Sequence, residues 1–285
     1  LRQVLTIAES NSMNEAAKKL FVSQPNLSAT VREVEEELGI TVFMRNNRGI
    51  TVTAEGEEFL GYAKQVVEQY HLLENRYLNV ESKKKFSVSM QHYSFAVKAF
   101  VQLAKEVGMD EYEFAVHETK TKEVIDNVKN LKSEIGVLYL SDFNEKVLRK
   151  LFKECDIEFK ELFTCNTYVY LWKKHPLAGQ KEITLDDLQE YPCLTFEQGV
   201  NNSFYYAEEM MSTYEYKRVI KADDRATMLN LMVGLNGFTL CSGIISEDLN
   251  GDDYAAIPLK ESEKMHIGYI KHKGTKLSKL GEIYI

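Results

Sequence analysis

The chain has no continuous run of about 18 apolar residues, so it offers no candidate membrane-spanning helix. No secretory signal is visible at its start, although it begins at Leu1 rather than Met. It has four cysteines, Cys155, Cys165, Cys193 and Cys241, in 285 residues, and their spacing fits no metal pattern. Scattered thiols of this kind, in a chain read as cytoplasmic, are expected to be buried and reduced. There is no G-x-S-x-G elbow, no glycine-rich nucleotide loop, no H-E-x-x-H helix and no triad order, which removes the enzyme classes that carry them. Neither a cofactor nor a metal site is expected. An excess of positive charge is missing as well: 35 basic residues face 43 acidic ones, a net of −8. Taken whole, the chain lacks the basic character of most nucleic-acid binders.

What is present lies mostly at the front. Ser12 with Glu15 forms an S-x-x-E capping box, which satisfies orphan backbone donors at a helix start. Ala16, Ala17, Leu20 and Phe21 then recur at helical spacing. Ser23 is placed to cap a second helix, and Pro25 fits its first turn, where a missing N–H does no harm. Leu27, Val31, Val34 and Leu38 set a buried stripe, and Gly39 supplies the stop. Gln24, Asn26, Ser28, Thr30 and Arg32 fall off that stripe. Short amides and hydroxyls there can reach base edges, and backbone N–H groups at the helix start can hold a phosphate. The pattern predicts a helix-turn-helix, with an ordinary solvated surface helix as the plain alternative. Ile40–Phe43 and Ile50–Val52 are β-prone runs on either side of Arg45, Asn46, Asn47, Arg48 and Gly49, which predicts a hairpin with an arginine-bearing tip. Such a wing would bring Arg45 and Arg48 to phosphates or a minor groove.

Residues 1 to about 60 resemble the winged helix-turn-helix of the LysR-type transcriptional regulators. The motif A-A-x-x-L-x-V-S-Q-P-x-L-S is met by Ala16, Ala17, Leu20, Val22, Ser23, Gln24, Pro25, Leu27 and Ser28. E-E-E-L-G-x-x-x-F-x-R follows as Glu35, Glu36, Glu37, Leu38, Gly39, Phe43 and Arg45, and T-x-x-G as Thr53 and Gly56. One departure is Ala29-Thr30, where the family often carries a basic residue. The resemblance implies double-stranded promoter DNA as partner, with Ser23, Gln24, Pro25, Asn26, Ser28, Thr30, Arg32, Arg45 and Arg48 as DNA-binding residues. It also implies a homodimer or homotetramer and RNA polymerase as a further partner.

Residues 1–85 hold 11 basic and 12 acidic side chains, so this part is close to neutral. Weak, salt-dependent contact with DNA is expected, and a dimer would double it. Thr53 caps a long helix that runs to about residue 82, with Glu55, Glu57 and Glu58 at its positive end. Phe59, Ala63, Val66, Tyr70, Leu73 and Tyr77 form one apolar stripe along it. A helix of that length with a single stripe calls for a partner, here a second copy; packing on its own domain is the bland reading.

From residue 86 onward, strands and helices alternate: strand 86–90, helix 94–107, strand 113–116, helix 121–131, strand 135–139. That order predicts a parallel sheet covered on both faces. The pattern restarts near Leu162 with a strand over 166–172, a helix opening at Thr184–Leu188, a strand over 193–196, a helix over 224–235 and a strand at 238–240, and a final strand from Met265 to Lys271 returns to the first half. His175-Pro176-Leu177-Ala178 and Gly234-Leu235-Asn236-Gly237 match recurring family stretches. The expected fold is α/β multidomain: a mainly α winged helix-turn-helix over 1–57, a linker and dimerisation helix over 58–85, and a two-lobed α/β domain over 86–285 like a periplasmic binding protein. Its first lobe takes about 86–161 and 265–285, its second about 162–264.

Ligands in open α/β sheets bind outside the carboxyl ends of strands. That rule selects Gln91, His92, Tyr93 and Ser94; Glu118, Thr119 and Thr121; Thr195, Phe196, Glu197 and Asn202; and Ser242 as effector-binding residues. Each taken singly is more often a loop, cap or packing residue. Thr121 matches the family's effector-contacting hydroxyl, and Glu118 with Glu197 hints at a ligand bearing an amine or polar hydroxyls. The function implied is regulation of transcription by a small-molecule effector. The alternatives are a redox-sensing regulator working through cysteines, a solute-binding protein and an enzyme.

Overall fold

The computed structural model describes residues 1–10, 12–46, 49–77, 83–108, 111–201 and 203–285. The chain divides into two compact units, Leu1–Ser82 and Lys83–Ile285.

The first unit runs α1 (Arg2–Ala8), α2 (Met13–Lys19), α3 (Gln24–Leu38), β1 (Phe43–Asn46), β2 (Gly49–Val52) and α4 (Ala54–Tyr77). Its helix starts rest on side-chain caps: Ser12 Oγ accepts from Glu15 N at 3.2 Å and Ser23 Oγ from Asn26 N at 3.4 Å. Gly39 ends α3 at φ +68°, a left-handed conformation that glycine adopts without strain. Ile7, Ala16, Leu27, Val31 and Val42 make the buried centre. Two stripe members depart from expectation. Leu38 is 47% exposed at the last turn of α3, and Phe21 is 97% exposed. Phe21 sits in the turn between α2 and α3 at φ +55°, past the end of the helix, so the 3.6-residue period no longer sets its direction. β1 and β2 pair as an antiparallel hairpin with Arg45 opposite Ile50. Glu35 anchors it, since one carboxylate oxygen accepts from the N–H groups of Val42 (2.7 Å) and Phe43 (3.0 Å). Gly56 allows α4 to meet this strand, because a Cβ there would lie 2.3 Å from the Val42 carbonyl oxygen. Along α4, Ala63 is buried and Phe59 and Leu60 pack on the domain core, whereas Val66, Tyr70 and Leu73 are more than half exposed.

The second unit runs β3 (Lys84–Met90), α5 (Ser94–Val107), β4 (Tyr112–Glu118), α6 (Thr121–Lys129), β5 (Ile135–Leu140), α7 (Glu145–Glu154), β6 (Ile157–Asn166), β7 (Tyr168–Trp172), β8 (Cys193–Phe196), β9 (Val219–Ala222), α8 (Arg225–Leu235), β10 (Thr239–Cys241), α9 (Glu247–Asn250), β11 (Tyr254–Pro258), β12 (Lys264–His272) and α10 (Lys279–Tyr284). One lobe holds a five-stranded sheet in the order β4-β3-β5-β12-β6. β3 is parallel to β4 and β5, while β12 runs antiparallel to β5 and β6. Every residue of β5 is buried, as expected of the central strand of a sheet covered on both faces. Leu138 and Leu140 face α6 and α7, and Val137 and Tyr139 belong to the opposite core. Gly136 lets α6 approach, since a Cβ there would stand 2.7 Å from Ile270 and 2.8 Å from Val124. β6 stays paired with β12 as far as Asn166, so the first sheet extends past Leu162.

The other lobe carries the antiparallel order β10-β7-β11 and the parallel pair β8-β9, with α8 laid over them through Met228 and Met232. The helix expected to open at Thr184 is only a 3-10 turn over Asp187–Glu190. Thr184 and Asp187 cap each other there, and Pro192 forces Tyr191 into extended backbone. The stretches around His175 and Asn236 prove to be one structural joint. His175 Nε2 lies 3.0 Å from the Asn236 carbonyl, and Trp172 Nε1 donates to Asn236 Oδ1 at 2.8 Å. Burial lowers the His175 pKa, so the ring is held neutral.

A candidate nucleic-acid interface and a candidate ligand cleft

In the first unit the leading turn of α3 is the polar face. Ser23, Pro25, Asn26 and Arg32 are exposed, and Gln24 and Thr30 are half-buried. Several polar atoms there are already engaged. Ser28 is buried and its hydroxyl receives Gln24 Nε2 at 3.1 Å, while Thr30 Oγ1 donates back to the Asn26 carbonyl at 3.2 Å. Of the flanking lysines, Lys19 pairs with Glu15 at 2.9 Å. Arg45 lies on β1, and Arg48 falls outside the described residues.

In the second unit a cavity lies between the two lobes, with about 80 Å³ of space open to water. The turn from β3 into α5 brings His92, Tyr93 and Ser94 to it; β8 contributes Phe196, and the segment after β10 contributes Ser242. These five residues among those selected from the sequence converge. The other described residues of that set do not line the cavity. Gln91 and Thr121, each 1% exposed, spend their hydrogen bonds on one another and on the frame. Gln91 Nε2 donates to Thr121 Oγ1 at 2.6 Å, and Thr121 Oγ1 donates to the Tyr206 carbonyl at 2.7 Å. Thr121 N donates to Gln198 Oε1 at 3.1 Å. Glu118 takes Arg225 Nε (3.1 Å) and Nη2 (2.8 Å), a charge-assisted tie from one lobe to the other. Thr119 binds Glu123, Glu197 binds Gly199 N and Lys221, and Thr195 pairs through its backbone with β9. Asn202 lies outside the described residues.

The chemistry of the cavity comes instead from residues the periodicity does not mark. Glu208 and Glu209 line it, both buried. Glu208 accepts from His92 N (3.0 Å) and Gln198 Nε2 (2.9 Å), and His92 Nδ1 lies 2.8 Å from the same carboxylate. The His92 ring stacks on Phe196 at 3.6 Å between centroids. Glu209 accepts from Phe196 N at 2.8 Å. Burial, then the neighbouring Glu208 charge, pushes the Glu209 pKa up from 4.5 to about 8, so it is largely protonated at neutral pH. Met228, Met232, Leu240 and Ile245 give an apolar wall. The one available signal was Glu208-Glu209 set directly before Met210-Met211, two acids inside an otherwise apolar run.

The thiols are poorly suited to oxidant chemistry. Burial pushes Cys165 to about 11 and Cys241 to about 12, and raises Cys155 and Cys193, so all four are thiols at neutral pH. No cluster that could hold a metal ion occurs among the described residues. No helix among them is long and apolar enough to cross a membrane.

Residues 1–57 match the profile described as bacterial regulatory helix-turn-helix protein, lysR family, and residues 108–282 match the LysR substrate binding domain. The chain belongs to the LysR family. It is a LysR-type transcriptional regulator, with a DNA-binding head and an effector-binding domain, and not an enzyme. The HTH-type transcriptional regulator CysL of Bacillus subtilis is 25% identical over 297 residues, covering 100% of this chain and 94% of CysL. BsdA, from the same organism, is 26% identical over 242 residues, 81% of this chain and 79% of its own length. A full-length OxyR variant from Pseudomonas aeruginosa superposes with a TM-score of 0.68 at 18% identity, covering 95% of this chain and 87% of that one. This last likeness is one of fold.

Proposed function

We propose that this LysR-type regulator reads its promoter with the leading turn of α3 and the β1–β2 wing, and that a small molecule held between the lobes of the second unit adjusts that reading. Ser23, Gln24, Pro25, Asn26, Ser28, Thr30, Arg32, Arg45 and Arg48 form the DNA face. His92, Tyr93, Ser94, Phe196 and Ser242 form part of the effector site, with Glu208, Glu209 and Arg225 added to them. Gln91, Glu118 and Thr121 act as the frame that holds the lobes together. The observation that carries this reading is the partly polar cleft between two lobes tied by Glu118–Arg225 and Thr121–Gln198. A ligand that fits one lobe angle better than another shifts the balance by its differential affinity alone.

Two copies pair through α4, whose Val66, Tyr70 and Leu73, each more than half exposed, lie at helical spacing in an apolar stripe. Pairing sets two α3 helices on half-sites about one duplex turn apart, about 34–36 Å. The paired form, or a tetramer of it, works in the cytoplasm and contacts RNA polymerase at the promoter. Footprinting of the full chain on its own upstream DNA, with size-exclusion light scattering, tests this. A protected region with two half-sites and a dimer or larger species is expected; a monomer that ignores that fragment refutes it.

A further inference from the structure

The cavity contains two buried hydroxyls that the described residues leave short of partners. Thr239 and Tyr170 are 6% and 8% exposed and line the cavity; among the described residues Thr239 Oγ1 has no hydrogen-bond partner, and Tyr170 Oη has only the Asn250 side chain nearby. They are directly opposite one another across β10 and β7, so both project from the same face of the sheet. An unpaired buried hydroxyl is costly unless a ligand or water completes it. The charges around the cavity run one way. The Arg225 guanidinium is already matched by Glu118, while Glu208, which also meets His92 and Gln198, and its neighbour Glu209, which accepts from Phe196 N, stand in the wall with lone pairs to spare. An anion entering here would meet the Glu208 carboxylate, whereas a cation would find that carboxylate and a second carboxyl group able to ionise beside it.

We propose that this cavity receives a compact primary amine carrying a second hydrogen-bonding group, its ammonium taken by Glu208 and Glu209 and its second group by the Thr239 and Tyr170 hydroxyls. The chain between the two ends lies against Met228, Met232 and Leu240. This inference rests on the cavity being the effector site. Glu209 faces Glu208, the hydroxyls of Tyr139 and Tyr216, the Cys193 thiol and the Phe196 N–H, with His92 and Arg225 on the same cavity. Of these, the ammonium alone adds positive charge on binding. It therefore drives the Glu209 proton to solvent, and affinity rises with pH between about pH 6 and pH 8.

The test is thermal shift and calorimetry on the full chain with three probes of one length: 4-amino-1-butanol, n-butylamine and 4-hydroxybutanoate. The amino alcohol is expected to stabilise most, n-butylamine less, and the acid not at all. Thr239→Val is expected to weaken the amino alcohol about fivefold, towards n-butylamine, while leaving the n-butylamine affinity in place. Glu209→Gln is expected to abolish the proton release, read as equal binding heats in buffers of different ionisation enthalpy. Unchanged Trp172 fluorescence verifies that both variants are folded. No stabilisation by either amine at tens of millimolar overturns the proposal. If the acid binds instead and Thr239→Val weakens it, the amine is wrong and the cleft remains the effector site. Binding of any probe that ignores both substitutions removes the cleft reading as well.

Discussion

Replacing Glu209 by Gln isolates one buried carboxyl group. Its folded pKa is about 8 against an unfolded value near 4.5. A carboxyl whose pKa is raised by folding costs the folded state nothing at low pH and destabilises it once the unfolded chain can ionise. Below about pH 4.5 both states are protonated and the group is neutral in the balance; as pH rises from there to about 8, the unfolded chain ionises and the folded one does not. Stability is therefore lost across that window and levels off above it. At about 1.36 kcal/mol per pKa unit the full displacement corresponds to about 5 kcal/mol, and relaxation with water entry reduces this to about 2–4 kcal/mol. Gln has the shape of the protonated acid and can still accept from Phe196 N. The variant should match the parent near about pH 4 and exceed it by a few kcal/mol above about pH 8. Urea unfolding followed by Trp172 measures this. Trp172 is the only tryptophan and lies on β7, so it reports on the second unit alone. The difference between the two proteins at each pH cancels every titrating group that does not feel the Glu209 charge. Parallel stability curves from pH 5 to about 8.5 would refute the reasoning, since Glu209 would then ionise as if exposed.

Gly136→Ala places a methyl 2.7 Å from Ile270 and 2.8 Å from Val124, so a loss of about 1–3 kcal/mol is expected in the same urea assay. Glu35→Ala removes the acceptor for two strand N–H groups and should lower the stability of the N-terminal unit by about 1–3 kcal/mol, seen as an earlier melting transition by circular dichroism. Arg32→Ala should weaken promoter binding at all sequences alike and reduce the slope of log K against log salt by about 1; an unchanged slope in mobility-shift titrations removes it from the phosphate contacts. Cys165→Ser and Cys241→Ser should leave regulation and its response to peroxide unaltered in a reporter assay, because neither thiol is ionised near neutral pH.

Local signals explain what could be read in advance. The caps at Ser12 and Ser23, the stop at Gly39 and the stripe of Leu27 and Val31 act within a turn or two of helix, so their spacing alone predicts α2 and α3. The same holds for α5 and α6, whose starts at Ser94 and Thr121 coincide with their expected positions. Where the chain leaves the helix early, the apolar spacing no longer predicts burial or helix length. Phe21 continues an apolar spacing yet lies in solvent, because the chain has already left the helix at that residue. Thr184–Leu188 has a capping residue and an apolar pair, yet Pro192 limits it to a single turn.

The order of elements, the family and the parts of the cleft that lie at strand ends were thus determined by residues near one another in the chain. The cavity's character was decided only by folding. His92, Tyr170, Glu209, Arg225 and Thr239 lie on separate elements, and no periodicity relates them. Packing of the two lobes buries them in one small volume. That burial raises the Glu209 pKa, while Arg225 is taken by Glu118 and the Thr239 hydroxyl is left unpaired. Desolvation and pairing depend on which side chains meet, and distance along the chain carries no information about either.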